Sequence, residues 1–423
     1  MRMDVKGHNK MTAENIIWKD RFADRARRMN ASEIRELLKL LDQPDIISFA
    51  GGIPDPALFP AVAIGEAYRS ILSDPVRAAQ ALQYSVSEGY LPLRRWIAGH
   101  MAERGVPCDE RNIMITAGSQ QGLDFIGKLF LSRGDTALVT APTYLGALQA
   151  FNPYEPHYDT LMPEGGNRTP ESYRDQAAAR GGRVGLAYLV ADFANPSGET
   201  VSLVAREGLL DLADALGTVV VEDAAYSALR YDGVEVPALL ALDVARSGGI
   251  ERTRTLYCGT FSKTLAPALR VGWVCGASAV IAKLVLAKQA ADLHCATINQ
   301  MVMHQVAEGG FAAQVARNRD AYRERRDAML AALARHMPEG VSWTRPEGGM
   351  FVWVTLPEAV DGAALLARSI EECRVAFVPG GAFYGEGRQD NKLRLSYSLS
   401  SPEQIEAGIG RLASLVARMV AGN

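Results

Sequence analysis

Short runs of β-branched and aliphatic residues alternate along this chain with segments whose apolar positions recur every three or four residues. That alternation predicts a largely parallel sheet covered by helices. Strands are predicted at Asn112–Thr116, Ala137–Thr140, Val184–Val190, Thr218–Glu222, Thr255–Cys258 and Val271–Cys275. Between Val190 and Thr218, the residues Leu203, Leu209, Leu210, Leu212, Ala213 and Leu216 mark the apolar face of a crossover helix over Ser202–Leu216, giving a βαβ unit. From Ile281 to Leu333 the strand signals stop and the pattern turns helical, with Arg317–Arg326 as a solvated face. Strands at Met350–Leu356, Val375–Val378 and Leu393–Tyr397, with helices over Gly362–Glu372 and Pro402–Val420, predict a smaller α+β unit. Near the start, Ala31–Leu41 reads as a helix and Phe49–Pro60 as a Gly/Pro-rich loop. The expected organisation is an N-terminal arm and helix over 1–61 joining the small domain, a large α/β domain over 62–305 with a mostly parallel central sheet, and a small α+β domain over 306–423.

Composition removes several classes of function. With 423 residues, 48% hydrophobic and 22% charged, the chain is an ordinary folded protein rather than a disordered, collagen-like or coiled-coil one. Its 45 basic residues against 48 acidic ones leave a net charge of −3, without the basic excess that binding a nucleic-acid backbone requires. No apolar run approaches the roughly 20 residues of a membrane helix, and the polar start MRMDVKGHNK suggests no secretory signal, so a cytoplasmic location is expected. The cysteines Cys108, Cys258, Cys275, Cys295 and Cys373 are scattered and form no CxxC pair, which fits reduced, buried thiols. The histidines form no HExxH, and no metal site is predicted.

Three segments carry candidate chemistry. Thr116-Ala117-Gly118-Ser119-Gln120-Gln121-Gly122 follows a strand and opens a helix with Leu123, Ile126, Leu129 and Phe130 on its apolar side. The free amides of such a start favour an anion, while the plainer reading is a serine N-cap after a glycine turn. Val219-Val220-Val221-Glu222-Asp223-Ala224-Ala225-Tyr226 is an apolar strand ending in two acids, at the strand end where open α/β sheets meet ligands. Asp223 is there either a ligand contact or a polar strand exit, with Tyr226 near enough to share the place. Thr260-Phe261-Ser262-Lys263-Thr264-Leu265-Ala266-Pro267-Ala268-Leu269-Arg270-Val271-Gly272 is a constrained insertion between two strands. Lys263 suits a Schiff-base lysine and Ser262 with Arg270 a phosphate grip, although one lysine alone is ordinarily a surface residue.

Together, an anion-binding helix start, a strand-end aspartate and Ser-Lys with an arginine seven residues later are the parts that pyridoxal 5'-phosphate needs. Its phosphate takes amides, hydroxyls and arginine, its pyridinium nitrogen a carboxylate, and its aldehyde an amine. With Ser32-Glu33-Ile34-Arg35-Glu36-Leu37-Leu38 and Phe49-Ala50-Gly51-Gly52-Ile53-Pro54 ahead of these motifs, the sequence resembles the class I/II aminotransferases of fold type I over nearly its whole length. The similarity is strongest to the branch holding 2-aminoadipate aminotransferases and the enzyme-like domains of MocR-type regulators.

The resemblance implies a homodimer with shared sites, and it assigns roles by motif. Lys263 would form an aldimine with the cofactor and shuttle the substrate Cα proton, and Asp223 would pair with the pyridinium nitrogen. Asn195, in Ala194-Asn195-Pro196-Ser197-Gly198, and Tyr226 would hydrogen-bond the phenolate oxygen, and Tyr144, in Ala141-Pro142-Thr143-Tyr144, would stack on the ring. Ser119, Gln120, Ser262 and Arg270 would hold the phosphate, with Tyr84 reaching in from a partner subunit. Arg394, in Leu393-Arg394-Leu395-Ser396-Tyr397, would clamp the substrate α-carboxylate beside Gly52 and Asn195, and Ser32 and Arg35 would line the side-chain pocket, Arg35 facing a distal carboxylate. Ser197 where relatives often carry threonine, and Ala268 where glycine is common, depart from the pattern without touching these residues. The implied activity is ping-pong transamination between an L-amino acid, glutamate or 2-aminoadipate, and a 2-oxo acid such as 2-oxoglutarate. The alternatives are an aromatic or branched-chain donor, a lyase or decarboxylase of the same fold, and last a non-catalytic sensor module, for which the stretch ahead of the match is short.

Overall fold

The computed structural model describes residues 21–29, 45–385, 387 and 389–422. The predicted helix at Ala31–Leu41, with Ser32 and Arg35, lies outside the described residues.

In chain order the strands are β1 (Ile47–Ser48), β2 (Ile113–Thr116), β3 (Thr136–Thr140), β4 (His157–Leu161), β5 (Val184–Leu189), β6 (Val219–Asp223), β7 (Thr255–Thr260), β8 (Gly272–Cys275), β9 (Ser342–Trp343), β10 (Phe351–Thr355), β11 (Val375–Ala376), β12 (Val378–Pro379) and β13 (Lys392–Ser396). The helices are α1 (Ala61–Ser73), α2 (Pro75–Leu82), α3 (Leu91–Glu103), α4 (Ser119–Phe130), α5 (Leu145–Phe151), α6 (Pro170–Ala179), α7 (Leu203–Leu216), α8 (Leu239–Ser247), α9 (Ser278–Gln289), α10 (Thr297–His336), α11 (Gly362–Arg368) and α12 (Pro402–Val420). Among the described residues no helix is long and apolar enough to cross a membrane.

Seven strands form one α/β sheet in the order β2-β8-β7-β6-β5-β3-β4, mostly parallel, with β8 antiparallel to both of its neighbours. Helices cover both faces, which is why β2, β5 and β7 are buried along their whole length and mainly apolar between their ends. Alternation along β6 sends Val221 to the side of Leu123 and Ile126 of α4, and Val220 to the side of Leu209 and Leu210 of α7. A four-stranded antiparallel sheet, β12-β13-β10-β9, lies under α12, whose Ile405, Ile409 and Leu412 share a core with Met329 and Leu333 of α10 and Val352 and Val354 of β10. The β1 strand pairs in parallel with β11.

The structure corrects several expected boundaries. β4 carries no clear strand signal because it is the sheet edge, with His157, Asp159 and Thr160 only partly covered or exposed. The single strand expected at Val375–Val378 is two short ones: β11 joins β1, and β12 joins β13, so the chain changes sheets at Phe377. The helical stretch from Ile281 onward is α9 and α10 with an irregular link over 290–296, and α10 is itself interrupted at Gly310, where φ of 180° and ψ of 24° leave the helical region. The helix expected over Gly362–Glu372 is α only to Arg368, after which Ser369–Cys373 widens into a π turn.

Candidate active site

The two acids that end β6 diverge because successive side chains on a strand face opposite ways. Glu222 accepts the Leu239 and Leu240 amides at 2.9 and 3.0 Å, closing the start of α8, and burial pushes its carboxyl up to about 7. Asp223 faces the other side. Its Oδ2 accepts the Tyr188 hydroxyl at 2.9 Å, while its Oδ1 is buried with no hydrogen-bond partner among the described residues. Burial raises Asp223 to about 6, against the pull of the Tyr188 hydroxyl, the Ala225 amide and the nearby Lys263 charge.

Lys263 stands in the insertion that links β7 to the antiparallel β8. Its Nζ donates to the Gly52 carbonyl at 3.0 Å. One face stays open to the cleft, yet enough protein surrounds the amine to lower its pKa to about 8, with burial first among the causes and Arg394 and Arg270 adding to it against Asp223. Amine and ammonium therefore coexist in weakly alkaline solution. Gly52 lies so close to β10 that a Cβ there would stand 2.7 Å from Phe351 Cζ.

The end of the same insertion meets the start of α4. Arg270, at a left-handed φ of 53°, donates from Nη2 to the Ala117 carbonyl at 2.9 Å and from Nη1 to the Pro267 carbonyl at 3.2 Å. Its guanidinium lies against Gly118, where φ is 82° and any Cβ would collide with it, so the position requires glycine. Gly118 occupies the cap position without a side-chain cap, and Ser119 is the first helical residue rather than the N-cap. The Ser119 and Gln120 N–H groups, in the first helical turn, have no intrahelical acceptor. Ser262 Oγ accepts the Thr260 hydroxyl at 2.9 Å, and Gln120 Nε2 donates to the Gly146 carbonyl at 2.6 Å.

Arg394 comes from β13, which is flanked by β12 and β10, so it is an interior residue of its sheet and only 2% exposed. It donates to Asn195 Oδ1 and to the Ala50 carbonyl, each at 2.8 Å, and its Cζ lies 4.3 Å from the centre of the Phe351 ring and 5.2 Å from that of Phe383. Burial lowers it to about 10, against the pull of Tyr226 and Tyr144, and its Nε has no partner among the described residues. Tyr226, buried beside it, is pushed up by the same desolvation.

These elements enclose a cleft of about 540 Å³. Lys263, Asp223, Tyr226, Ser119, Gln120, Tyr144, Asn195, Ser262, Arg270, Arg394 and Gly52 all line it. Tyr84 does not; it is 79% exposed and meets His294 edge-on at 5.8 Å. Sequence reasoning passed over Ile53, Leu145 and Gln149, which also line the cleft, and Tyr188, whose signal was a single phenol in the aliphatic run Val184–Val190. Three cations, Lys263, Arg270 and Arg394, give the cleft a preference for anions.

Residues 76–412 match the family of class I and II aminotransferases. The chain belongs to that family. As an aminotransferase it is an enzyme that moves an amino group between an amino acid and a 2-oxo acid. It is 42% identical over 421 residues to the aromatic-amino-acid aminotransferase 1 of Thermococcus litoralis, covering 98% of this chain and 99% of that one. It is equally 42% identical over 406 residues to the 2-aminoadipate transaminase of Thermus thermophilus, covering 96% and 99%. Among solved structures, the aminotransferase superposes on the alpha-aminoadipate aminotransferase of Thermus thermophilus, complexed with N-(5'-phosphopyridoxyl)-L-leucine, with a TM-score of 0.85 at 40% identity over 96% of this chain and 100% of that one.

Proposed function

We propose that this aminotransferase, whose cofactor is pyridoxal 5'-phosphate, holds it in the cleft just described and exchanges amino groups between an acidic L-amino acid, glutamate or 2-aminoadipate, and 2-oxoglutarate. The observation that carries this conclusion is the buried, unpartnered Asp223 Oδ1 beside a lysine whose proton is loosely held. An acceptor stripped of water requires a donor, and a protonated ring nitrogen is one. Bound, the cofactor supplies an electron sink for the pair left when the Cα proton departs.

The protein's own groups do the rest. Asp223 keeps the proton on the ring nitrogen, and Lys263 Nζ, as free amine, takes the proton from substrate Cα and would hand it on to C4' of the bound cofactor. The Ser119 and Gln120 amides, Ser262 and Arg270 hold the phosphate. Arg394, with its unpartnered Nε, takes the α-carboxylate, and Asn195 and Tyr226 orient the phenolate side of the ring. Tyr144 covers one face. Residues 62–305 then form the large cofactor-binding domain and 306–423 the small one, and from 1–61 the described residues add β1 to β11 and Gly52 and Ile53 to the cleft lining. A homodimer completes the site: Leu82, Tyr84, Val86 and Leu293 are exposed apolar residues, and Tyr84 and Leu293 are joined through the Tyr84–His294 contact, a surface suited to a second copy.

The relative named for 2-aminoadipate supports an acidic donor, with Arg35 as the partner of the distal carboxylate. A second reading, an aromatic donor, is favoured by the Thermococcus litoralis relative and by the apolar Ile53 and Leu145 in the cleft lining. Titrating the yellow holoenzyme with one amino acid at a time separates them. Glutamate or 2-aminoadipate should bleach the visible band faster than phenylalanine or leucine, and 2-oxoglutarate should restore it. Arg35→Ala should lower the acidic-over-apolar preference by about tenfold; an unchanged preference excludes the role of Arg35.

A further inference from the structure

Behind the turn that opens α4 lies a polar cluster that the chemistry above does not use. Lys288, near the end of α9, is 0% exposed. Its Nζ donates to both Asp292 carboxylate oxygens at 2.8 and 2.9 Å, to Gln121 Oε1 at 3.1 Å and to the Cys295 sulfur at 3.1 Å. A buried ammonium is costly unless it is paired and fully hydrogen-bonded, so a fold that keeps one needs these acceptors where they are.

Gln121 is the pivot. Its Oε1 accepts the Ala117 amide at 2.9 Å as well as Lys288, and its Nε2 donates to Asp292 Oδ2 at 2.7 Å. Ala117 is also the residue whose carbonyl takes Arg270 Nη2. The turn Thr116–Gly118 is therefore gripped twice, by Arg270 from the cleft and by Gln121 from behind. Only the second grip depends on Lys288, because a glutamine side chain in the first turn of a helix has several rotamers open to it unless neighbours fix one.

We propose that Lys288 is a positioning residue for the cofactor phosphate: by locking Gln121 against Ala117 it aims the Ser119 and Gln120 N–H groups at the phosphate. This rests on the assignment of the cleft to pyridoxal phosphate. Lys288 touches neither cofactor nor substrate and acts only through the turn. The effect must therefore appear in binding of the phosphate and not of the ring. The link also reaches outward, since Asp292 precedes Leu293, which is exposed at a left-handed φ of 63° on the apolar surface near Tyr84.

The test is equilibrium binding of pyridoxal phosphate and of pyridoxal, which lacks the phosphate, to the full chain freed of cofactor. Wild type, Lys288→Met and Gln121→Leu are compared, with circular dichroism to verify folding. Each variant should bind pyridoxal phosphate about tenfold more weakly, the order expected when one charge-assisted hydrogen bond to a positioning group is lost. Binding of pyridoxal should stay within about twofold of wild type, since no ring contact changes. The phosphorus-31 resonance of the bound phosphate should shift in both variants. Equal losses for both ligands, or no loss for either, in folded variants overturn the proposal, and Gln121→Leu decides alone if Lys288→Met does not fold. Wild type that binds neither ligand overturns the cleft assignment itself, and this inference with it.

Discussion

Asp223 and Lys263 line the same cleft and are shifted in opposite senses by the same loss of water, the acid upward and the amine downward. Asp223 binds its proton more tightly in the folded, cofactor-free protein, at about 6, than in the unfolded chain, at 3.8. The associated stabilisation is complete below about pH 4 and is lost as pH rises through 6, leaving a cost on the order of 2–3 kcal/mol at neutral pH. Asp223→Asn should therefore raise the melting temperature of cofactor-free protein at pH 7.5 but not at pH 4, and calorimetry at the two pH values checks it. The same variant should lower turnover by about 100-fold or more, the scale of losing one proton-holding group. For Lys263 the neutral amine is the reactive form, so the rate of cofactor capture should rise with pH and level off above about 8. A flat profile in stopped-flow absorbance would falsify the role given to that amine. These residues were legible in the sequence because each sits in a short motif at a strand end. Tyr188 and Lys288 were not, since Tyr188 acts across a strand pair and Lys288 lies 167 residues from Gln121.

At the scale of elements, Glu222 ties β6 to α8 with two carboxylate–amide bonds. Glu222→Ala would bury the Leu239 and Leu240 amides without acceptors, at a cost of about 2–4 kcal/mol, to be read from the urea midpoint. Helix boundaries were legible where local chemistry sets them. α12 begins where the sequence predicts because Ser401 and Gln404 form a capping box, with Oγ accepting the Gln404 amide at 3.3 Å and Oε1 the Ser401 amide at 3.0 Å. Strand identity failed where tertiary context decides. Nothing local marks Phe377 as the point where the chain leaves β1 for β13, and among the described residues β4 pairs with β3 alone.

For the whole molecule, alternating strand and helix patterns made the α/β class legible, while the strand order was not, because β2 finds its partner in β8 across most of the large sheet's sequence. Exposed Leu82, Tyr84, Val86 and Leu293 make a prediction at this scale. The protein should sediment as a dimer, and Leu82→Asp combined with Val86→Asp should yield monomers that release cofactor faster, as analytical ultracentrifugation and dialysis would read. A wild-type monomer at micromolar concentration excludes the shared site.

The antiparallel insertion of β8 between β2 and β7 also sets a timetable for biosynthesis. Strands β3 to β7 lie next to one another in the sheet and can associate in the order in which the ribosome releases them, while β2, made before any of them, has no neighbour until Gly272–Cys275 emerges. Gly118 and Arg270, which meet at the edge of the cleft, flank those two late-joining strands. A nascent chain arrested short of Arg270 lacks the guanidinium that lies against Gly118, so the anion-binding end of the cleft is among the last parts of the large sheet to be assembled.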